Sequence, residues 1–385
     1  MYNKGDDSYL RQPKFMKPEV YTRMFERIKD HCAEHDLKSF AITIHGGEPL
    51  LVGKKYMRDF IRTGRAILED VEVVFSLQTN GILLDNEWCD LFEEFNIRCG
   101  ISIDVSQSSH DMYRIDHQGK GTYARTIAGL RIAQEHPYVK KSCGALAVID
   151  VNTDPTKVYD HFDSIGIRGI DLLMPDNNYA DLPAGMNKNY EEEKKNTPYA
   201  NWLIPIFDRW MADHGRIRIR LFRTIVNLIL GRKIGNDALG NVNSNLIVIE
   251  TDGGIEPVDS LKICGPQFTK LGLNVMRNEL KDIFMMDLYQ KYYHGKTRLP
   301  ETCQSCAISA VCGGGFLPNR YSHTTGFDNP SVYCLDLLKL ITHIQNVVVA
   351  QFTADELAEL EIEPLTYEEA LSFINGQSWQ SSLVA

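Results

Sequence analysis

Long apolar runs are missing from this 385-residue chain, and so is a basic stretch leading into an apolar one near its start. Neither a membrane-spanning helix nor a secretory signal is therefore read from it. Basic charge is also scarce: 41 Lys and Arg stand against 51 Asp and Glu, for a net charge of −10. A nucleic-acid-binding surface needs the opposite balance, so that class of partner is disfavoured. There is no internal repeat and no low-complexity tract. What remains is a globular chain, 43% hydrophobic and 24% charged, long enough for one large domain and a smaller one. A cytoplasmic enzyme is the resulting expectation.

Cysteine is the residue in surplus. There are nine, an odd number that argues against a fully paired disulfide framework. Five of them, Cys264, Cys303, Cys306, Cys312 and Cys334, fall in one stretch, which in a reducing compartment reads as metal or iron–sulfur ligation. Cys303-x2-Cys306-x5-Cys312 runs into Gly313, Gly314 and Gly315, with Cys334 downstream. Four thiolates so placed can hold a [4Fe–4S] cluster or a zinc ion, and spacing alone leaves both open. The glycine run suits backbone that wraps a cluster and donates N–H bonds to its sulfurs. Cys264 is either a fifth ligand or a lone buried thiol. Cys32, Cys89, Cys99 and Cys143 are scattered and read as packing residues.

The first two-thirds of the chain alternates helix-like and strand-like segments. Strands are expected at 39–45, 71–78, 97–103, 142–148 and 169–174, and helices at 18–37, 54–69, 87–95, 121–135 and 156–165. That alternation implies a parallel sheet covered by helices. Residues 176–197 read as a long loop and 199–232 as helical. A β-hairpin is expected around Thr251, Asp252, Gly253 and Gly254, and helices at 335–351 and 354–375. Polar groups recur at the carboxyl ends of successive strands: His45-Gly46-Gly47-Glu48-Pro49, then Gln78-Thr79-Asn80-Gly81, then Ser102-Ile103-Asp104, followed by His110, Asp111, Arg114 and Gly119-Lys120-Gly121-Thr122. Parallel α/β folds place their sites there. The plainer readings are turns, and a surface ion pair between Asp111 and Arg114.

Taken together, these motifs resemble the radical-SAM barrel, and the cysteine pattern resembles the SPASM domain of its peptide-modifying members. Further stretches, Tyr2 to Ser8, Leu173 to Asp176, Ile217 to Phe222 and Val258 to Cys264, look like the subgroup that installs cyclophane crosslinks in ribosomal peptides. The resemblance implies a partial (β/α)6 TIM-type barrel over residues 1–215, lacking its first strand. A helical connector follows over 216–245, then a SPASM-type domain over 246–340 and an acidic helical tail over 341–385. By position it implies that Gly46, Gly47 and Glu48 hold the amine of S-adenosyl-L-methionine (SAM). Ser102 and Arg114 would face its carboxylate and ribose, with Asn80 lining the same cleft. Cys303, Cys306, Cys312 and Cys334 would ligate one auxiliary [4Fe–4S] cluster, with zinc a minor alternative. Asp176 is a candidate base or substrate contact, or simply a turn aspartate. The implied partners are a precursor peptide and a reductant such as flavodoxin or ferredoxin.

Two departures stand out. Family members carry C-x3-C-x2-C after the first strand, which binds the SAM-cleaving cluster. The match here begins just past that motif, and no cysteines replace it, so the expectation is a truncated chain, or else a pseudoenzyme, that does not cleave SAM as written. Full members also bind a second auxiliary cluster, but the positions for two of its ligands are Arg277 and Phe316. One auxiliary cluster is therefore expected. The alternatives are a non-catalytic peptide-binding pseudoenzyme, or another SPASM chemistry such as sulfatase maturation or thioether formation.

Overall fold

The computed structural model describes residues 8–234, 236–360 and 363–374. The Tyr2 to Asp7 part of the first subgroup stretch and the end of the tail lie outside them. Before the first helix the described chain forms only a 3-10 turn, Ser8–Arg11.

Six parallel strands form the main sheet in simple sequence order: β1 (Ser39–Ile44), β2 (Glu72–Thr79), β3 (Arg98–Ser102), β4 (Gly144–Val148), β5 (Gly169–Leu173) and β6 (Arg218–Ile219). The helices between them are α1 (Pro18–Glu34), which precedes β1, then α2 (Lys54–Ile67), α3 (Asn86–Glu94), α4 (Gln107–Tyr113), α5 (Tyr123–Glu135) and α6 (Pro155–Ser164). Each of the five expected strands is present, because β-branched and apolar residues alternate there and end at turn-forming residues. Among the described residues β1 is an edge of the sheet, and its side chains alternate between exposed and half-buried.

Three expectations need correction. Residues 176–197 contain a short helix, α7 (Tyr190–Asn196), started by the Asn189 carboxamide, which accepts from the N–H of Glu191 and Glu192. The helix expected over 199–232 is two helices, α8 (Pro198–Ala212) and α9 (Arg220–Ile229), with β6 between them. The break is made by His214 and Gly215, both left-handed at φ 51° and 66°, a conformation that ends a helix and that glycine adopts without strain. Ile217 and Ile219 then bury themselves against the sheet. The tail helix expected over 354–375 is likewise split, into α14 (Ala354–Leu360) and α15 (Tyr367–Leu371), with Pro364 in the gap. Proline cannot supply the backbone donor a helix interior needs.

A second, three-stranded antiparallel sheet holds the expected hairpin: β7 (Val248–Ile249) pairs with β8 (Gly254–Glu256), and β8 with β9 (Leu273–Asn274). The cysteine region follows as α10 (Asp287–Tyr293), α11 (Glu301–Gln304), α12 (Ser309–Cys312) and α13 (Cys334–Val349). Helix α13 returns to the main body. Buried Asp336 accepts the N–H groups of Tyr199 and Ala200 at 2.7 and 2.9 Å, at the start of α8, and Tyr333 packs edge-on against Tyr199. Among the described residues no helix is long and apolar enough to cross a membrane.

Candidate functional site

The carboxyl ends of β1, β2 and β3 are joined by side chains. After β1 the chain turns through Gly46, at φ 60°, and Gly47, and both leave open space where a Cβ would stand. Glu48 then reaches across to the next strand. Its carboxylate accepts from the N–H of Leu50 (3.1 Å), the hydroxyl of Thr79 (2.7 Å) and the N–H of Asn80 (2.8 Å). Asn80 in turn accepts from the N–H of Ile82 through its side chain and from the Thr126 hydroxyl through its carbonyl. Ser102, closing β3, accepts from Gln78 at 3.0 Å.

Arg114 is held differently from the plain reading of a surface pair with Asp111. Its guanidinium forks onto the buried Asp104 carboxylate at 2.7 and 3.1 Å, a bidentate geometry that fixes both planes. Asp111 instead accepts the N–H of Tyr123 at the start of α5. His110 is fully buried: its Nδ1 accepts from the N–H of Asp104, and its Nε2 lies 3.1 Å from the Thr122 hydroxyl. Burial pushes its pKa down to about 4, so the ring is neutral at pH 7. Asp104 and His110 thus organise the loop that carries Arg114. The sequence showed both residues within the motif but not this role.

The four clustered cysteines come from two short helices, one long helix and the stretch between: Cys303 in α11, Cys312 ending α12, Cys334 opening α13, and Cys306 between α11 and α12. Charge interactions link the four thiols. Burial first, then the charge of Cys312, pushes Cys303 up to about 12. Cys334 is raised by burial and then by Cys303, Cys312 and Cys306. Among the described residues no three His, Cys, Asp or Glu groups are placed to hold a single metal ion. The backbone suits bound thiolates. Gly314 and Gly315 donate their N–H groups to Cys312, and Ile308 donates to Cys306. Gly313, Gly314 and Gly315 are all left-handed, at φ 60°, 73° and 70°, and that turn aims the amides inward. A Cβ on Gly313 would lie 1.8 Å from the Gly240 carbonyl.

Cys264 stands elsewhere. It is buried beside Asn178 and the Pro318 carbonyl, at 3.9 and 3.8 Å, and the charges acting on its thiol come from Asp176 rather than from another cysteine. Of the scattered four, Cys32, Cys89 and Cys99 are buried and Cys143 half-buried, as packing residues would be.

Asp176 follows β5. Solvent reaches the side chain, yet protein crowds around it. Loss of surrounding water, then the charges of Asp259 and Asp237, push its carboxyl up to about 7, against a hydrogen bond with Ser260 that lowers it. Arg220, beginning α9, pairs with Asp171 of β5 and also feels Asp237. Asp176 after β5 therefore meets Ser260 and the charge of Asp259 in the 3-10 segment Asp259–Cys264, and Asp237 acts on both Asp176 and Arg220.

The fold is shared with solved structures that carry bound AdoMet. A solved structure described as native anSMEcpe with bound AdoMet and Kp18Cys peptide superposes with a TM-score of 0.74 at 21% identity, over 87% of this chain and 90% of that one. Hexahistidine-tagged anSMEcpe with bound AdoMet gives 0.74 at 22% identity, over 90% and 89%. Sequence relatives have the same character. The chain is 26% identical over 326 residues to a cysteine-type anaerobic sulfatase-maturating enzyme of Clostridium novyi, covering 82% of this chain and 81% of that enzyme. It is 25% identical over 339 residues to a serine-type anaerobic sulfatase-maturating enzyme of Bacteroides thetaiotaomicron, covering 84% and 79%. No family model matches the chain.

Proposed function

We propose that this chain is a radical-SAM/SPASM peptide maturase of the crosslinking kind, built on a partial barrel and carrying one auxiliary [4Fe–4S] cluster. Glu48, Asn80, Gly46 and Gly47 would hold the methionyl amine of SAM, and Ser102 and Arg114 its carboxylate and ribose. Arg114 would do so with its plane already set by Asp104. Cys303, Cys306, Cys312 and Cys334 would hold the cluster, which as a bound group supplies a one-electron acceptor. SAM at a reduced cluster would supply hydrogen abstraction, and the protein's part would be to position the peptide and exclude water. None of the nine cysteines of this sequence has the C-x3-C-x2-C spacing expected for the SAM-cleaving cluster. Asp176, with a pKa near 7, is suited to take the proton that a modified residue loses.

The observation that carries the crosslinking reading is a convergence. Three of the stretches resembling that subgroup are far apart in sequence, yet Asp176 bonds Ser260 and feels Asp259 of the third stretch, and Asp237 acts on both Asp176 and Arg220. A second reading, sulfatase maturation, is favoured by the names of the relatives.

Anaerobic reconstitution with iron and sulfide should load about four irons per chain. Serine at Cys303, Cys306, Cys312 or Cys334 should abolish loading, and Cys264→Ser should leave it intact. An aromatic-rich core peptide should bind the reconstituted chain in a fluorescence anisotropy assay, and Arg220→Glu should weaken it. Binding of cysteine- or serine-bearing sulfatase peptides in place of the aromatic one would decide for the second reading.

A further inference from the structure

We infer that Lys296 and Arg320 are the buried counter-charges of the four-thiolate site and that they set its reduction potential, an inference that rests on the cluster reading above. Both are cations in the interior, only 5% and 4% exposed. Burying an unpaired charge is costly, and proteins normally answer it with a carboxylate. Here the hydrogen bonds go to uncharged groups. Lys296 donates to the Gly315 carbonyl at 2.6 Å. Arg320 donates to the carbonyls of Phe327, Asn329 and Gly295 at 3.2, 3.2 and 2.9 Å. The carboxylates of Asp237 and Asp328 act on the two cations only at longer range.

The groups they do face are the thiols. A Cβ on Gly313 would lie 3.0 Å from Lys296 Cδ, and one on Gly314 would lie 3.5 Å from Arg320 Nη1. The two side chains thus bracket the glycine run that begins directly after Cys312. Both cations act on Cys303 and Cys312. Cys334 also feels the buried Asp336.

Charge balance completes the case. Four thiolates around a doubly positive [4Fe–4S] core leave a net charge of about −2. Two buried cations neutralise it. An arriving electron raises the negative charge further, and a nearby cation stabilises that reduced form. Removing the cation should therefore make reduction harder.

The test compares wild type, Lys296→Met, Lys296→Arg and Arg320→Lys, each metal-free and iron-loaded. Reduction is followed by an EPR-monitored potentiometric titration of the loaded proteins. Lys296→Met should lower the equilibrium constant for one-electron reduction at least about tenfold, a negative shift of about 59 mV. Lys296→Arg and Arg320→Lys should stay near wild type because they keep the charge. Thermal melting gives a readout that needs no redox chemistry. Lys296→Met should melt at or above wild type when metal-free, because a buried charge without a counter-ion has been removed. It should melt below wild type when iron-loaded. If Lys296 only ties down the Gly315 carbonyl, Lys296→Met falls equally in both forms and the potential stays put, which overturns the inference while wild type still loads iron. If wild type itself takes up no iron, the cluster reading and this inference fall together.

Discussion

The bridge made by Glu48 allows a quantitative test, because two of its possible jobs respond to different substitutions. Its carboxylate ties the loop after β1 to the end of β2 through three accepted hydrogen bonds. A net hydrogen bond contributes about 1 kcal/mol, and more to a charged partner in the interior. Glu48 is half-buried, so water can replace some of what is lost. Glu48→Ala should then cost about 2–3 kcal/mol. Unfolding entropy of about 2.1 cal/mol/K per residue gives about 0.8 kcal/mol/K for a chain of this length, so the melting temperature should fall by about 3 °C. Glu48→Gln keeps one acceptor and should lose roughly half as much. Binding of SAM separates the roles. An ammonium group distinguishes a carboxylate from a carboxamide, and losing one charge-assisted bond of about 1.5–3 kcal/mol weakens affinity roughly 10- to 100-fold. Both variants should show that loss by isothermal titration calorimetry, although only Glu48→Ala melts clearly lower. A Glu48→Ala melting point within about 1 °C of wild type would refute the bridge, and unchanged SAM affinity in Glu48→Gln would refute the ligand role.

Gly313→Ala should abolish iron loading, because its Cβ would meet the Gly240 carbonyl at 1.8 Å as well as straining a left-handed backbone. Gly326→Ala, at φ 66° with open space around it, carries the strain alone and should load iron normally while losing about 1–2 kcal/mol in chemical denaturation. For Asp176 the sign follows from its raised pKa. The folded state holds this proton more tightly than the unfolded chain, so the group's contribution to stability is greatest in acid and is lost as pH rises from about 4 to about 7. Melting curves should therefore show Asp176→Asn gaining more over wild type at pH 8 than at pH 4, and a gain independent of pH would rule out the crowded, acidic surroundings of Asp176.

Much of this was readable from residues, and the gaps have physical causes. β1 to β5 were legible because each is a run of alternating or apolar residues bounded by turn formers. β6 was not, since two residues carry no period, and the helices on both sides extend the helical pattern straight through it. The start of α7 was signalled by Asn189 followed by three glutamates, a helix-initiating arrangement inside what reads as a loop. The Cys303, Cys306 and Cys312 group was legible because its spacing is local. The pairing of Arg114 with Asp104 instead of Asp111 depends on how α4 turns the chain, which spacing does not reveal. Lys296 and Arg320 gave no signal at all, because a buried lysine looks like any surface lysine until the chain is folded around it.

Helix α1 has a consequence for the order in which the protein can assemble. Its Arg27 donates to the Val275 carbonyl at 3.2 Å, 248 positions away. Lys281 pairs with Glu34 at its other end, and the Thr251 hydroxyl donates to the Pro13 carbonyl just ahead of it. A ribosome makes this helix well before its docking partners, which are complete only once β9 and the turn after it have been synthesised. Until then α1 can pack against α2, but its other side stays without a partner. The entropy of closing so long a loop must be met before those contacts form. Shortening the message before residue 251 would leave α1 without any part of this clasp, and the small sheet and the large one should melt as one cooperative unit.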